Sequence, residues 1–437
     1  MRVLWLCNIM LPVIAMHLGK EVNNKEGWLS GTYDRLKQSG FRTLDGERIE
    51  LGVCFPVASA NDEMRFSLPN LEVFGFYEDT VHPENYDTAL EGRLKKIIDK
   101  FNPDLVHCFG TEYPHTLAMT KAFNKPDKIL VGIQGLCYKY AEVYMANLPL
   151  GVQKSKTFRD ILKKDSLVEQ EQKFIKRGLY EKEALKNVSH VTGRTQWDYD
   201  SVGEVKAISR KKENDGTIWY HFMNETLRNN FYSGSWEYDK CTPYSIFISQ
   251  GDYPIKGLHF VFQAMPKILE KYPDTTIYVS GNNVTKTTTL KEKIKISAYG
   301  KYLKQLMKIN KLQQKVHFLG KLNAEEMKQR FLQSHLYVCP SAIENSPNSL
   351  GEAMILGVPS IASNVGGIYS IFTDKKDGLL FEMGNCDALA ECVIRMFEEI
   401  SKAKEFGKNA KEHAGKTHNP DANFERLLEI YQEIVCK

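Results

Sequence analysis

A series of apolar, β-rich runs, continuous rather than alternating, recurs along the whole chain. In the first half they are Val3–Ile9, Ile49–Val57, Leu71–Tyr77, Leu105–Gly110, Ile129–Gln134 and Val188–Thr192. In the second half they are Tyr244–Ser249, Thr275–Ser280, Lys315–Leu319, Leu336–Pro340, Pro359–Ser363 and Gly378–Phe381. A strand that is apolar on both faces must be covered on both, which is the condition of a parallel sheet with helices above and below. Helical periodicity lies between many of the runs, as in Leu258–Tyr272, Ala324–Ser334 and Asp387–Lys402. Strand–helix alternation in two blocks predicts an α/β chain of two doubly wound, Rossmann-like domains. The 437 residues are enough for two or three domains. A polar stretch from Lys211 to Gly216 precedes a seam near Tyr238–Pro243. The expected division is an N-terminal domain over 1–240, a second domain over 243–417, and a C-terminal helix over 418–437 packing back on the first. Residues 151–186, charged with both signs, read as amphipathic helices of the first domain.

Composition narrows the class. Apolar residues make 42% and charged residues 26%, which excludes a mainly disordered chain. The net charge of +4 does not mark a nucleic-acid binder. No apolar run approaches the ~18–20 residues that span a bilayer. The stretch Met1–Met16 is apolar, but Asn8 and Pro12 interrupt it and no small-residue cleavage site follows, so a first strand is expected rather than a signal peptide. The nine cysteines form no CxxC pair and no Cys/His cluster of zinc spacing, so reduced core thiols in a cytoplasmic protein are expected. Residues 283–315 hold nine lysines against one acid, Glu292. They read either as the solvated face of one long helix or as a patch for an anionic lipid or a phosphorylated acceptor.

The segment densest in chemistry runs from Ser341 to Gly367. It follows a buried strand and carries Glu344, a polar loop through Asn345, Ser346, Pro347, Asn348 and Ser349, and a helix predicted from about Asn348 to Leu356 that contains Glu352. Gly357 ends that helix. Free N–H groups and the positive end of the helix dipole favour a phosphate at such a terminus, although Asn, Ser and Pro there also suit an ordinary capped helix. Glu352 can face back to the loop and accept hydrogen bonds from a ribose diol. Glu344 lies at the carboxyl end of a strand, where ligands of open α/β sheets collect.

Glu344 and Glu352 with seven residues between them, then Gly357, Val358 and Pro359, then Gly366 and Gly367, resemble the signature of retaining glycosyltransferase family 4, the group 1 glycosyl transferases of GT-B fold. Lys256–Gly257, the run from Lys315 to Gly320 and the run from Asp377 to Phe381 are similar to further family features. The resemblance is specific over roughly 244–400. In the N-terminal half it is looser, resting on Glu26–Leu29 and on His107–His115. It implies two Rossmann-like domains facing each other across a cleft, and transfer of a hexose-type sugar from a nucleotide diphosphate to a hydroxyl with retention. The acceptor implied is a glycan or lipid-linked sugar of surface polysaccharide synthesis, with possible contact at an anionic membrane. In these terms Glu352 binds the ribose, Asn345, Ser346, Asn348, Ser349 and Leu350 cradle the diphosphate, and Lys256 holds the leaving phosphate. Glu344 lies against the sugar, Gly27 lets the backbone approach the diphosphate, and Val316, His317 and Phe318 lie near the base. His115 contacts sugar or acceptor, with Glu112, Gln134 and Arg194 on the acceptor side. No metal and no cofactor beyond the donor is expected, because the cationic groups neutralise the phosphate.

The chain departs from the family pattern in three places. Gln250 or Gly251 stands where an Arg usually precedes the Lys, Gln134 stands where a His is common, and Glu26 replaces the first Gly of a Gly–Gly pair. Two alternatives therefore stay open: a nucleotide-sugar epimerase on the same fold, and a binding protein with weakened catalysis. Asp198 and Asp200 form the DxD tripeptide that holds a metal in the other large glycosyltransferase fold, here expected to be a chance pattern. Trp219–Phe222, with Phe231 and Trp236, is expected to pack at the domain seam.

Overall fold

The structure, a computed structural model, describes residues 1–20, 27–210 and 216–436. The chain divides into two compact units. The first comprises Met1–Lys139, Lys173–Arg228 and His418–Lys437. Its strands are β1 (Arg2–Leu6), β2 (Glu50–Val57), β3 (Met64–Leu68), β4 (Leu71–Tyr77), β5 (Leu105–Phe109), β6 (Ile129–Gly132), β7 (His190–Gly193), β8 (Ile208–Ser209) and β9 (Ile218–Phe222). They lie in the order β3-β4-β2-β1-β5-β6-β7-β9-β8. All neighbours are parallel except β3 against β4. Along β1, Leu4 and Leu6 enter one hydrophobic cluster with Phe74, Leu94 and Met119, while Val3 and Trp5 enter another with Phe55, Leu427 and Tyr431. Side chains alternate across a strand, so a run with both sets buried has to be continuous in apolarity.

The second cluster is closed by the C-terminal helix Pro420–Val435. Its Tyr431 hydroxyl accepts from Trp5 Nε1 at 2.9 Å and donates to His107 Nδ1 at 2.7 Å. Burial pushes the His107 pKa down to about 3, so the ring is neutral and can accept. Lys128 Nζ donates to the terminal carbonyl of Ile434 at 2.6 Å, complementing the negative end of the helix.

The second unit comprises Tyr140–Gln172 and Asn229–Thr417. Its strands are β10 (Thr242–Ile248), β11 (Thr276–Ser280), β12 (Val316–Gly320), β13 (Ser334–Cys339), β14 (Ser360–Ser363) and β15 (Leu379–Phe381), all parallel, in the order β12-β11-β10-β13-β14-β15. Every continuous apolar run named above is a strand. The runs missed are β3, an edge strand of alternating exposure, the two-residue β8, and β9. The aromatic run Trp219–Phe222 is β9 itself, paired with β7 inside the first sheet, which corrects its placement at the seam.

Residues 140–172 group with the second unit, where the sequence reading placed them in the first. Two polar anchors explain this. Asp160, 1% exposed, accepts from the Ala298 N–H at 2.9 Å, and neutral His259 donates from Nε2 to the Ala146 carbonyl at 2.8 Å. Burial holds the His259 pKa near 4 against the opposing pull of the Ala146 carbonyl. Buried polar groups need partners, and those partners lie in the second unit. The lysine-rich stretch is not one long helix but two, Leu290–Lys295 and Ala298–Ile309. Among the described residues no helix is long and apolar enough to cross a membrane.

Candidate functional site

In the second sheet the chain leaves β10 towards β11 and β12 on one side, and continues with β13, β14 and β15 on the other. The carboxyl ends of β10 and β13 therefore flank a topological switch point, where open α/β sheets bind ligands. The loops leaving these two strands carry Lys256 and Glu344. Lys256 Nζ lies 2.5 Å from Glu344 Oε1, and Ser341 Oγ donates to the same oxygen at 2.7 Å. Burial pulls the Lys256 pKa down, but Glu344 and the phenols of Tyr253 and Tyr140 outweigh it and hold the ammonium well above its ordinary value. The lysine is thus a fixed positive charge.

Two glycines make this geometry possible. Gly257, φ +69°, turns the chain into helix Leu258–Lys271, and a Cβ there would stand 1.8 Å from the Pro340 carbonyl oxygen. Gly366, φ +54°, sits so close that a Cβ would stand 1.9 Å from the Glu344 carbonyl oxygen, to which the Gly367 N–H donates at 2.9 Å. The Glu344 loop is held between these turns, and the Ala342 N–H bonds the Ile255 carbonyl at 2.7 Å.

Helix Asn348–Leu356 starts where predicted, but its N-cap, Pro347, supplies no side-chain bond. Among the described residues, several helices close this end with a side chain, from Thr157, Thr195, Thr289, Ser297, Asn323, Asn385 or Asn419, while others, such as Pro114–Phe123 and Leu258–Lys271, also have none. The expected cradle narrows. The Leu350 N–H bonds the Pro347 carbonyl at 3.0 Å, and the Ser346 N–H bonds Asn345 Oδ1 at 2.7 Å. The Ser349 hydroxyl accepts from Tyr337, whose oxygen also lies 3.0 Å from Ser249 Oγ. The first-turn amides of Asn348 and Ser349 lie at the helix mouth, with two buried atoms that have no partner among the described residues, Asn345 Nδ2 and Asn348 Oδ1. Unsatisfied buried polar atoms are costly unless a ligand or water completes them. Glu352 is buried, 3% exposed, in the second turn of the same helix. Val316, His317 and Phe318 are not brought to this pair: they lie on the edge strand β12, with β11 between it and β10, and His317 stacks on Tyr278 at 5.0 Å.

The first sheet has its own switch point, between β1 and β5. Past these strands the structure brings together Asn8, Glu112 and His115. His115, expected to touch sugar or acceptor, is fully buried, which corrects that reading. Its Nδ1 lies 2.6 Å from Glu78 and its Nε2 2.9 Å from Asn8 Oδ1, so it positions those groups instead. Glu112 Oε2 is buried without a partner among the described residues, and burial raises the carboxyl pKa. Gln134 and Arg194 meet on a residue that the sequence reading missed. Glu225 accepts from Gln134 Nε2 and from Arg194 Nη1, each at 2.6 Å. Arg194, expected on the acceptor side, is committed to this buried pair. Asp198 accepts the N–H groups of Arg194 and Thr195 and caps helix Gln196–Gly203, an adequate structural account of the DxD tripeptide. Glu26 and Lys211–Asp215 lie outside the described residues, and Gly27 opens helix Gly27–Gln38.

Also unforeseen is Glu181, fully buried, accepting from Thr111 Oγ1 and from the Tyr138 N–H. Burial raises its pKa to about 7, against those hydrogen bonds. A carboxyl that stays protonated in the folded state above its unfolded pKa makes the protein lose stability as pH rises through that window, here about 4.5 to 7. The Thr111 hydroxyl also lies 3.3 Å from the Gly135 carbonyl, so it can donate there and accept from a protonated Glu181. Glu181→Gln reproduces the protonated pattern. Denaturant melts from pH 5 to pH 8 are expected to show a decline in wild-type stability that the variant lacks, and equal slopes would refute the assignment.

Residues 232–413 match the family model for glycosyl transferases group 1. An uncharacterized glycosyltransferase of Methanocaldococcus jannaschii is 25% identical over 187 residues, which cover 43% of this chain and 44% of that protein. The chain thus aligns with less than half the length of such curated relatives. Solved structures cover far more. Sucrose-phosphate synthase of Thermosynechococcus elongatus superposes with a TM-score of 0.67 at 15% identity, over 100% of this chain and 99% of that one. Anabaena HepE in complex with UDP and glucose gives 0.64 at 16% identity, over 99% and 100%. The fold is therefore that of the GT-B glycosyltransferases, α/β with two parallel-sheet domains.

Proposed function

We propose that the protein is a retaining glycosyltransferase of family 4, moving a hexose-type sugar from a nucleotide diphosphate to a hydroxyl of a glycan or lipid-linked acceptor. The observation that carries this reading is the Lys256–Glu344 pair beside an uncapped helix mouth at the switch point of the second sheet. The group 1 match over 232–413 and the UDP and glucose of the HepE complex support a nucleotide-sugar donor. The alternatives, an epimerase or a weakened binding protein, gain no support from these likenesses.

In this mechanism negative charge builds on the departing phosphate while the sugar becomes oxocarbenium-like. Lys256, once turned from Glu344, and the amides at the helix mouth stabilise that charge. Glu344 orients Lys256 in the free protein and faces the sugar once the ammonium turns to phosphate. The acceptor attacks from the face the nucleotide leaves, and the leaving phosphate takes its proton, so no dedicated protein base is required. The positive charge at this site comes from the chain itself, which is the basis for inferring metal independence. A place in surface polysaccharide synthesis, in the cytoplasm or peripherally at the inner membrane face, completes the proposal.

The test is ligand-induced thermal stabilisation by UDP-, GDP- and ADP-sugars with EDTA present. One donor class is expected to raise the melting temperature, and Glu352→Ala is expected to abolish most of that shift. Shifts that appear only with Mn²⁺ would overturn the metal-free site. Product from the donor alone, with no acceptor, would favour the epimerase.

A further inference from the structure

Surface helices of soluble proteins turn apolar residues to the core and polar ones to water. Two short helices in the second unit do the opposite. In Phe158–Lys163 the acid Asp160 points inward, capping its own helix through Thr157 and accepting from Ala298, while Phe158, Ile161 and Leu162 face solvent. In Leu290–Lys295 the acid Glu292 is spent on Thr288, Thr289 and Lys286, while Leu290 and Ile294 face solvent. The two helices pack beside each other. These five apolar side chains are between 54% and 77% exposed. Spacings of three and four residues put each set on one face.

Exposed lysines lie on the same two helices or next to them in the chain: Lys163, Lys164, Lys291, Lys293 and Lys295. None of the five has an ion-pair partner among the described residues. The nearby acids are drawn away, Asp160 by burial and Glu292 by its caps. Burial and ion pairing do not explain this arrangement, and an exposed apolar patch with unpaired lysines along the same helices calls for a partner that is apolar within and negative at its surface. An anionic bilayer has that chemistry: apolar side chains enter the headgroup boundary and lysines meet lipid phosphates.

We propose that the paired helices Phe158–Lys163 and Leu290–Lys295 form a docking surface for an anionic membrane. The inference gives residues to the peripheral contact named above, and it holds whatever the donor site binds. The test is co-sedimentation of the full chain with phosphatidylcholine vesicles, with and without phosphatidylglycerol. Binding to the anionic vesicles is expected to be about tenfold tighter or more, and to weaken as salt screens the lysines. Leu162→Glu combined with Ile294→Glu is expected to cut that binding about tenfold or more, with the melting temperature and donor-induced stabilisation unchanged, because both side chains already face solvent. Replacing Lys163, Lys164 and Lys291 by Ala is expected to remove the preference for anionic over neutral vesicles. Failure of the wild type to bind either vesicle, or binding that the Glu variant leaves intact, would overturn the proposal. A concentration-dependent dimer in light scattering, abolished by the Glu variant without any vesicle binding, would assign the surface to a second copy instead.

Discussion

Lys256→Ala is expected to slow nucleotide release from the donor by about 10²–10³-fold, the usual loss when one preorganised charge-stabilising donor is removed. The ammonium sits 2.5 Å from Glu344 and its pKa is held far above neutrality, so at any working pH the wild type presents a full positive charge. The substitution has a second effect. It leaves the buried Glu344 with the Ser341 hydroxyl as its remaining side-chain partner among the described residues, at a cost of about 1–3 kcal/mol for an unmatched buried group. The two effects can be separated. Lys256→Met with Glu344→Gln removes both charges and is expected to recover most of the lost melting temperature while activity stays low. Steady-state nucleotide release, measured with the melting temperature on the same samples, reads both. A single variant that keeps its rate within a few-fold of wild type would end the assignment of Lys256 to the leaving phosphate.

Gly257→Ala is the second large effect, and it arises from backbone rather than charge. The new Cβ would stand 1.8 Å from the Pro340 carbonyl oxygen, an atom that no rotamer change can move, at a φ of +69° that side chains rarely adopt. Left-handed strain of about 1–2 kcal/mol and overpacking of about 1–3 kcal/mol together predict a loss of roughly 2–5 kcal/mol. Because Gly257 follows Lys256 and Pro340 follows β13, relief of the clash must shift the two loops that hold the Lys256–Glu344 pair. Activity is therefore expected to fall further than the folded fraction does. Gly46→Ala is the control: its φ is +88°, but nothing lies within 4 Å of the new atom, so only the conformational cost should appear. Equal melting temperatures for the two variants would show that the close approach at Pro340 is not rigid.

The buried strands and the segment around Glu344 are legible in the local sequence alone. Continuous apolarity is a local property, set by the demand that both faces of a parallel strand be covered, so β1, β2, β5, β10 and β13 could be read without knowing their neighbours. The start of helix Asn348–Leu356 was legible for the same reason, because Pro347 and the polar residues around it act within a few residues of themselves. Tertiary structure alone decided the pairings over long separations. Glu225 takes Gln134 and Arg194 from 91 and 31 residues away, and Asp160 draws residues 140–172 to the second unit through an amide 138 residues on. His115 has the setting of a site residue in the sequence but is closed off by Glu78 and Asn8, one on each ring nitrogen. Burial turns a polar residue from a ligand contact into a support, and burial depends on what the rest of the chain places around it.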